Sequence, residues 1–185
     1  MYWTSTISYK VRARYGIIYR GGGMKSDLIN AVRQNHALEH ATVSLLTRRL
    51  DSNVRIIGKT TFDGFYIYGN VPSAAVRKAA TEGLARLQGG ERELAVSPFC
   101  GTNIVIAGII AGMACLLALG GKNRGQRLPL AIMVAIGAII AAQPLGRTAQ
   151  KHLTTCSSLS DVTIKRITRR GSGTRILYKV ETARG

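Results

Sequence analysis

Hydrophobic and polar positions follow two regimes along this chain. Over most of its length apolar residues come in short periodic groups, whereas Thr102–Gly121 (TNIVIAGIIAGMACLLALGG) and Leu128–Leu145 (LPLAIMVAIGAIIAAQPL) contain no charged residue. Each stretch is about the length that crosses a hydrocarbon core of roughly 30 Å as a helix. Core helices of soluble proteins seldom run this far without a charge. The connector Gly120–Arg127 (GGKNRGQR) is short, polar and glycine-rich, so the two stretches are expected to form a tight antiparallel hairpin. Gly108 and Gly112, with Ala107 and Ala111 beside them, offer one small-residue face, and Ala131, Ala135, Ala138 and Ala142 offer another. Such faces let helices approach closely in a membrane.

The remaining segments alternate between helical and strand periods. Ser26 or Asp27 is placed to cap a helix running to about Leu50, on which Ile29, Val32, His36, His40, Val43, Leu46 and Leu50 recur at helical spacing. Val54–Lys59 and Phe62–Tyr68 read as a β-hairpin, and Pro72 introduces a second helix, Ser73–Leu87, that Gly89-Gly90 ends. Glu93–Val96 reads as one more short strand. Val162–Thr168 and Arg175–Glu181 form a second hairpin about Arg169–Thr174, although the alternation through Lys165 and Arg166 is imperfect. The expected fold class is α+β: a small helix and hairpin domain built around a two-helix transmembrane hairpin. Four regions follow: 1–23 a leader, 24–101 a cytoplasmic α+β domain, 102–145 the transmembrane hairpin, and 146–185 a basic β-hairpin segment that packs with the N-terminal domain.

Segment 1–23 is basic and aromatic, with no continuous apolar stretch and no small-residue cleavage site, so it does not read as a signal peptide. Arg20-Gly21-Gly22-Gly23 stands directly before Met24, as a purine-rich ribosome-binding site translated in frame would. Translation from Met24 is therefore expected.

Charge narrows the range of partners. The formal net charge is +17, and +13 remains without the four basic residues of segment 1–23. Beside two membrane-length stretches, this excess points to a lipid bilayer with anionic headgroups. Nucleic acid is not the expected partner, because no zinc-finger spacing, aromatic-basic string or helix-turn-helix pattern occurs. Arg86, Arg92, Arg147, Lys151 and Lys165 flank the spans on the domain side, against Lys122, Arg124 and Arg127 in the connector, which favours soluble parts in the cytoplasm. Cys100, Cys115 and Cys156 are odd in number and scattered, as in a reducing compartment.

The clearest chemistry lies in His36-Ala37-Leu38-Glu39-His40, an H-x-x-E-H string that uses two of the three histidines. On a helix, positions four apart share a face, so both imidazoles can address one ion, with Glu39 beside them as a ligand or general base. The alternative is a hydrogen-bonded structural cluster on a buried face. Two neutral imidazoles and a carboxylate on such a face need partners, and a divalent cation supplies one for all three. An antiparallel apolar hairpin returns Cys100 and His152 to the same membrane face, so either is a candidate to complete a set with His36 and His40. Zinc suits mixed nitrogen and sulfur ligands.

Asn35–Thr42 (NHALEHAT), Tyr68-Gly69 and Cys100–Asn103 (CGTN) together resemble an uncharacterised bacterial membrane-protein family carrying a domain of unknown function. The resemblance covers most of Met24–Thr155 and implies a two-span architecture with no established activity. More distantly the chain is similar to the YqhQ-type membrane proteins, which have H-G-A-E-H and then H-P-R-C-G-T before a span. Here Ser97 stands at the position of the first histidine of that second string, while Cys100 is kept. Pitrilysin-type peptidases share H-x-x-E-H but use a further downstream glutamate and a far larger chamber, so the common string is read as shared metal-binding logic. Two functions follow as expectations: a zinc-binding membrane protein, with metal-assisted hydrolysis if a metal position is open to water, or a non-enzymatic subunit or assembly factor that docks on membrane-protein partners.

Overall fold

The computed structural model describes residues 24–50, 54–121, 123–171 and 176–185. Segment 1–23, with the expectation about its start, lies outside them, as does most of the turn of the last hairpin. The chain divides into two compact units. The first joins the described residues up to Ala95 with Thr155–Gly185, and the second is Val96–Thr154.

In the first unit α1 covers Met24–Arg49, with Asp27 in its first turn and Arg48 and Arg49 in its last, charges that suit the helix dipole. Strands β1 (Ile57–Thr61) and β2 (Gly64–Tyr68) form the first expected hairpin. Helix α2 follows at Ser73–Gln88, with Pro72 at its N-cap and Gly90 beyond its end at φ +94, where a side chain would be strained. Where Glu93–Val96 was expected as a strand, Arg92–Ala95 form a 3-10 turn instead. Leu94 and Ala95 point into the core, so the short apolar run has a packing reason without a strand partner.

Strands β3 (Val162–Arg170) and β4 (Leu177–Arg184) complete an antiparallel sheet of order β1-β2-β4-β3. A register shift between Ile164 and Arg166 accounts for the imperfect alternation there, since one extra residue in a strand breaks its period. The pairs Phe65 with Val180 and Ile67 with Tyr178 put four fully buried side chains on one face, where they join Leu38, Leu46, Val76 and Leu87 from α1 and α2 in a single core.

The inner face of α1 keeps only part of the stripe read from the sequence: His40 and Leu46 are buried, and Val43 and Leu50 pack against the core. Ile29 and Val32 are exposed, whereas Gln34, Asn35 and Thr42 are buried. Hydrogen bonds make this possible, because a buried amide is tolerated only when its partners are present. Asn35 Nδ2 donates to the carbonyls of Thr61 and Phe62 at 2.9 and 3.0 Å, and its Oδ1 accepts from Thr182 Oγ1 at 2.8 Å and Arg184 Nη2 at 3.0 Å. The helix is thereby tied to β1, the turn after it, and the strand that ends at Arg184. At the first hairpin Lys179 Nζ donates to Asp63 Oδ1 at 2.7 Å and to Thr61 Oγ1 at 2.8 Å, and lies over the Tyr66 ring. Burial raises the Asp63 carboxyl, but the Lys179 and Thr61 bonds and the Lys179 charge outweigh it, and the group sits below its usual 3.8.

The second unit holds α3 (Gly101–Ala118) and α4 (Leu128–Ala149), followed by a π turn at Gln150–Thr154. Both apolar helices are long and apolar enough to cross a membrane. Their large side chains, among them Ile104, Val105, Leu116, Leu117, Met133 and Ile140, are exposed. Ala131, Ala142 and Gly146 of α4 and Ala111 of α3 are the buried positions, so alanine mediates the packing on both helices. Gly108 and Gly112 are not part of that contact: a methyl added at either meets nothing within 4 Å.

Candidate metal centre

His36 and His40 lie one turn apart near the middle of α1, with ring centroids 4.3 Å apart and planes tilted by 59°. His40 is 3% exposed and His36 is half-buried. The spacing does what a helix requires of positions i and i+4, bringing both rings to one side.

A backbone group then defines the chemistry of His40. Its Nδ1 lies 2.7 Å from the carbonyl oxygen of Ala95. A carbonyl only accepts, so Nδ1 carries the hydrogen and, in the neutral ring, Nε2 keeps its lone pair. Metal-ligating histidines are oriented in this way, with the second nitrogen donating to a carbonyl or carboxylate. The 3-10 turn aims that carbonyl, and Leu94 and Ala95 fix the turn in the core.

Glu39 is 7% exposed and faces β1. Its Oε2 accepts from Thr60 Oγ1 at 3.2 Å. Gly58 makes room for it, since a methyl there would lie 2.7 Å from Glu39 Cγ and closer still to Cδ and Oε1. Glycine inside a strand often marks such an approach. The glutamate of the H-x-x-E-H string thus holds the helix against the sheet.

The other two expected ligands belong to the second unit. Cys100 is 7% exposed and is the N-cap of α3, where its sulfur accepts from Thr102 N at 3.4 Å. His152 is exposed in the π turn. The sequence reading missed Ala95, whose role lies in a carbonyl that every residue type carries, and also Gly58 and Thr60. Gly58 had left a trace, as a glycine between Ile57 and Lys59 in a strand.

A pair of histidines one turn apart on a helix that a sheet supports defines a class only broadly: a protein with a candidate metal site in an α+β unit, joined to a hairpin of two apolar helices. The chain belongs to the family defined by a domain of unknown function, DUF6391, whose model matches residues 31–167. That match takes in His36, Glu39, His40, Cys100 and His152. The chain is also similar to an uncharacterized protein of Picosynechococcus sp., with 34% identity over 147 residues that cover 70% of this chain and 68% of the relative. No solved structure matches.

Proposed function

We propose that this is a membrane-anchored metal-binding protein, held in the bilayer by α3 and α4, that carries a zinc-like divalent ion on His36, His40 and Cys100. The observation that carries the reading is the His40 Nδ1 bond to the Ala95 carbonyl, which leaves Nε2 as a ligand beside the His36 ring. Two imidazole nitrogens and a cysteine sulfur are donors of the kind that zinc sites use. The chain itself supports the inclusion of Cys100. Only five chain steps separate Ala95 from Cys100, so the backbone allows at most about 18 Å between the residue whose carbonyl orients His40 and the cysteine. Nitrogen and sulfur donors in this mixture favour zinc. His152, exposed on its turn, is left out of the set.

Three protein ligands leave one position on a tetrahedral ion for water or a partner's donor. Hydrolysis would need a base at that water. Thr60 and the space over Gly58 hold the Glu39 carboxylate on β1, which favours a binding role over a hydrolytic one. The apolar side chains outside α3 and α4 favour a lipid environment, and the basic excess favours anionic headgroups around it.

The test is elemental analysis of the detergent-purified full chain beside His36→Ala/His40→Ala and Glu39→Gln. The reading expects stoichiometric zinc in the wild type, none in the double variant, and zinc retained in Glu39→Gln. Equal metal in wild type and double variant would reject it.

A further inference from the structure

A second polar cluster lies in the unit that carries Cys100, and neither the helix hairpin nor the histidine pair accounts for it. Gln150 is 0% exposed at the junction of α4 with the π turn. Its amide grips the backbone of Ser97 from both sides, with Oε1 accepting from Ser97 N at 2.8 Å and Nε2 donating to Ser97 O at 3.0 Å. The same Nε2 donates to Asn103 Oδ1 at 2.6 Å. Asn103, in the first turn of α3, donates through Nδ2 to the carbonyls of Ser97 and Pro98 at 3.2 and 2.9 Å. Cys100 N donates to Ser97 O at 3.4 Å. Thus two amides, one in the first turn of α3 and one just past the end of α4, hold the loop Ser97–Phe99 that delivers Cys100 to its N-cap position.

Gly146 completes the arrangement one turn before Gln150. A methyl at Gly146 would lie 3.1 Å from Asn103 Cγ and closer still to its Oδ1. Only a glycine lets Asn103 settle beside α4. Fastening two helices needs less than this. Alanine packing already joins them through Ala111, Ala131 and Ala142. A buried amide such as that of Gln150 is costly unless its bonds are made, yet here most of the bonds of Gln150 and of half-buried Asn103 converge on the loop before the cysteine.

We propose that Gln150 and Asn103 are positioning residues that fix the Cys100 sulfur as a metal ligand. The inference rests on the reading of Cys100 as a ligand and adds what orients it. Groups that orient a ligand typically matter by about 10- to 100-fold in metal affinity. The loop geometry also sets the sulfur against Thr102 N, from which it accepts at 3.4 Å.

The experiment is a cobalt(II) titration of the full chain in detergent. Ligand-field bands report cobalt on the protein, and a sulfur-to-cobalt charge-transfer band reports the thiolate. Cys100→Ser identifies that band, and circular dichroism monitors the fold. The wild type should show both bands. Gln150→Glu, which keeps shape but replaces the donating amide nitrogen, should keep its helix content and the ligand-field bands, lose most of the sulfur band, and bind cobalt at least about 10-fold more weakly. Should Gln150→Glu lose helix content, Asn103→Ser takes its place with the same expectation. An unchanged sulfur band and affinity in a folded variant would overturn the positioning role alone. Absence of a Cys100-dependent band in the wild type would overturn the ligand assignment, and the proposal with it.

Discussion

Replacing Gly58 with alanine tests how the carboxylate of the H-x-x-E-H string is used. Two effects oppose each other. Alanine in a strand gains roughly 0.5–1 kcal/mol over glycine in backbone terms, and Gly58 has no positive φ that would forbid a side chain. Against this, the new methyl would meet Glu39 Cγ at 2.7 Å, with Cδ and Oε1 nearer still. Contacts so short force a shift of side chain or backbone, and overpacking of this kind costs about 1–3 kcal/mol. The steric effect should win, for a net loss of about 1–2 kcal/mol. Glu39→Ala removes the atoms that clash, at the cost of the Thr60 bond. The double variant Gly58→Ala/Glu39→Ala should therefore be more stable than the two single losses summed, by a coupling of about 0.5–2 kcal/mol. Thermal unfolding in detergent reads this as a few degrees, since about 1 kcal/mol moves the midpoint of a chain this long by roughly 2–4 °C. A Gly58→Ala protein as stable as the wild type, or additive losses in the double variant, would show that Glu39 does not occupy the space over β1.

Three further outcomes are expected. Asp63 holds its proton less tightly in the folded protein than in the unfolded chain, so its contribution to stability is complete above the usual 3.8 and is lost as pH falls below it; urea midpoints between pH 5 and pH 3 should fall less steeply for Asp63→Asn than for wild type, and equal slopes would contradict the Lys179 pairing. Asn35→Ala leaves two carbonyls, Thr182 and Arg184 without their shared partner, and should lower stability by about 2–4 kcal/mol in denaturant unfolding; a loss under about 0.5 kcal/mol would mean that water replaces the amide. The full chain should stay with membranes through a carbonate wash, and a reporter at Asn123 should label from the side opposite a C-terminal one. Release by carbonate, or labelling of both from one side, would contradict a two-span anchor.

Much of the architecture was legible because its periods are local. Apolar length announced α3 and α4, helical spacing announced α1 and α2, and alternation announced both β-hairpins. What failed depended on partners distant in sequence. Gln34, Asn35 and Thr42 count as polar in any periodicity, yet the C-terminal Arg184 and Thr182 bond the first two and the Leu38 carbonyl accepts from the third, so the inner face of α1 is rotated away from Ile29 and Val32. The run at Glu93–Val96 is too short to separate strand from turn by pattern. Gly108 and Gly112 have the spacing of a packing motif, but spacing does not say which face a partner helix takes, and alanines take it here. Within the candidate site the two histidines were visible as a string. The carbonyl of Ala95, which assigns the hydrogen on His40, was not, because no side chain records it.

X-ray absorption at the zinc edge, on the full chain as purified in detergent, tests the metal assignment most directly. The account predicts a low-coordinate site with imidazole scattering from two nitrogens at about 2.0–2.1 Å and one sulfur at about 2.3 Å, the sulfur shell vanishing in Cys100→Ser and the imidazole signal in His36→Ala/His40→Ala. A protein without stoichiometric metal, or a shell of oxygens alone that neither variant alters, would contradict it.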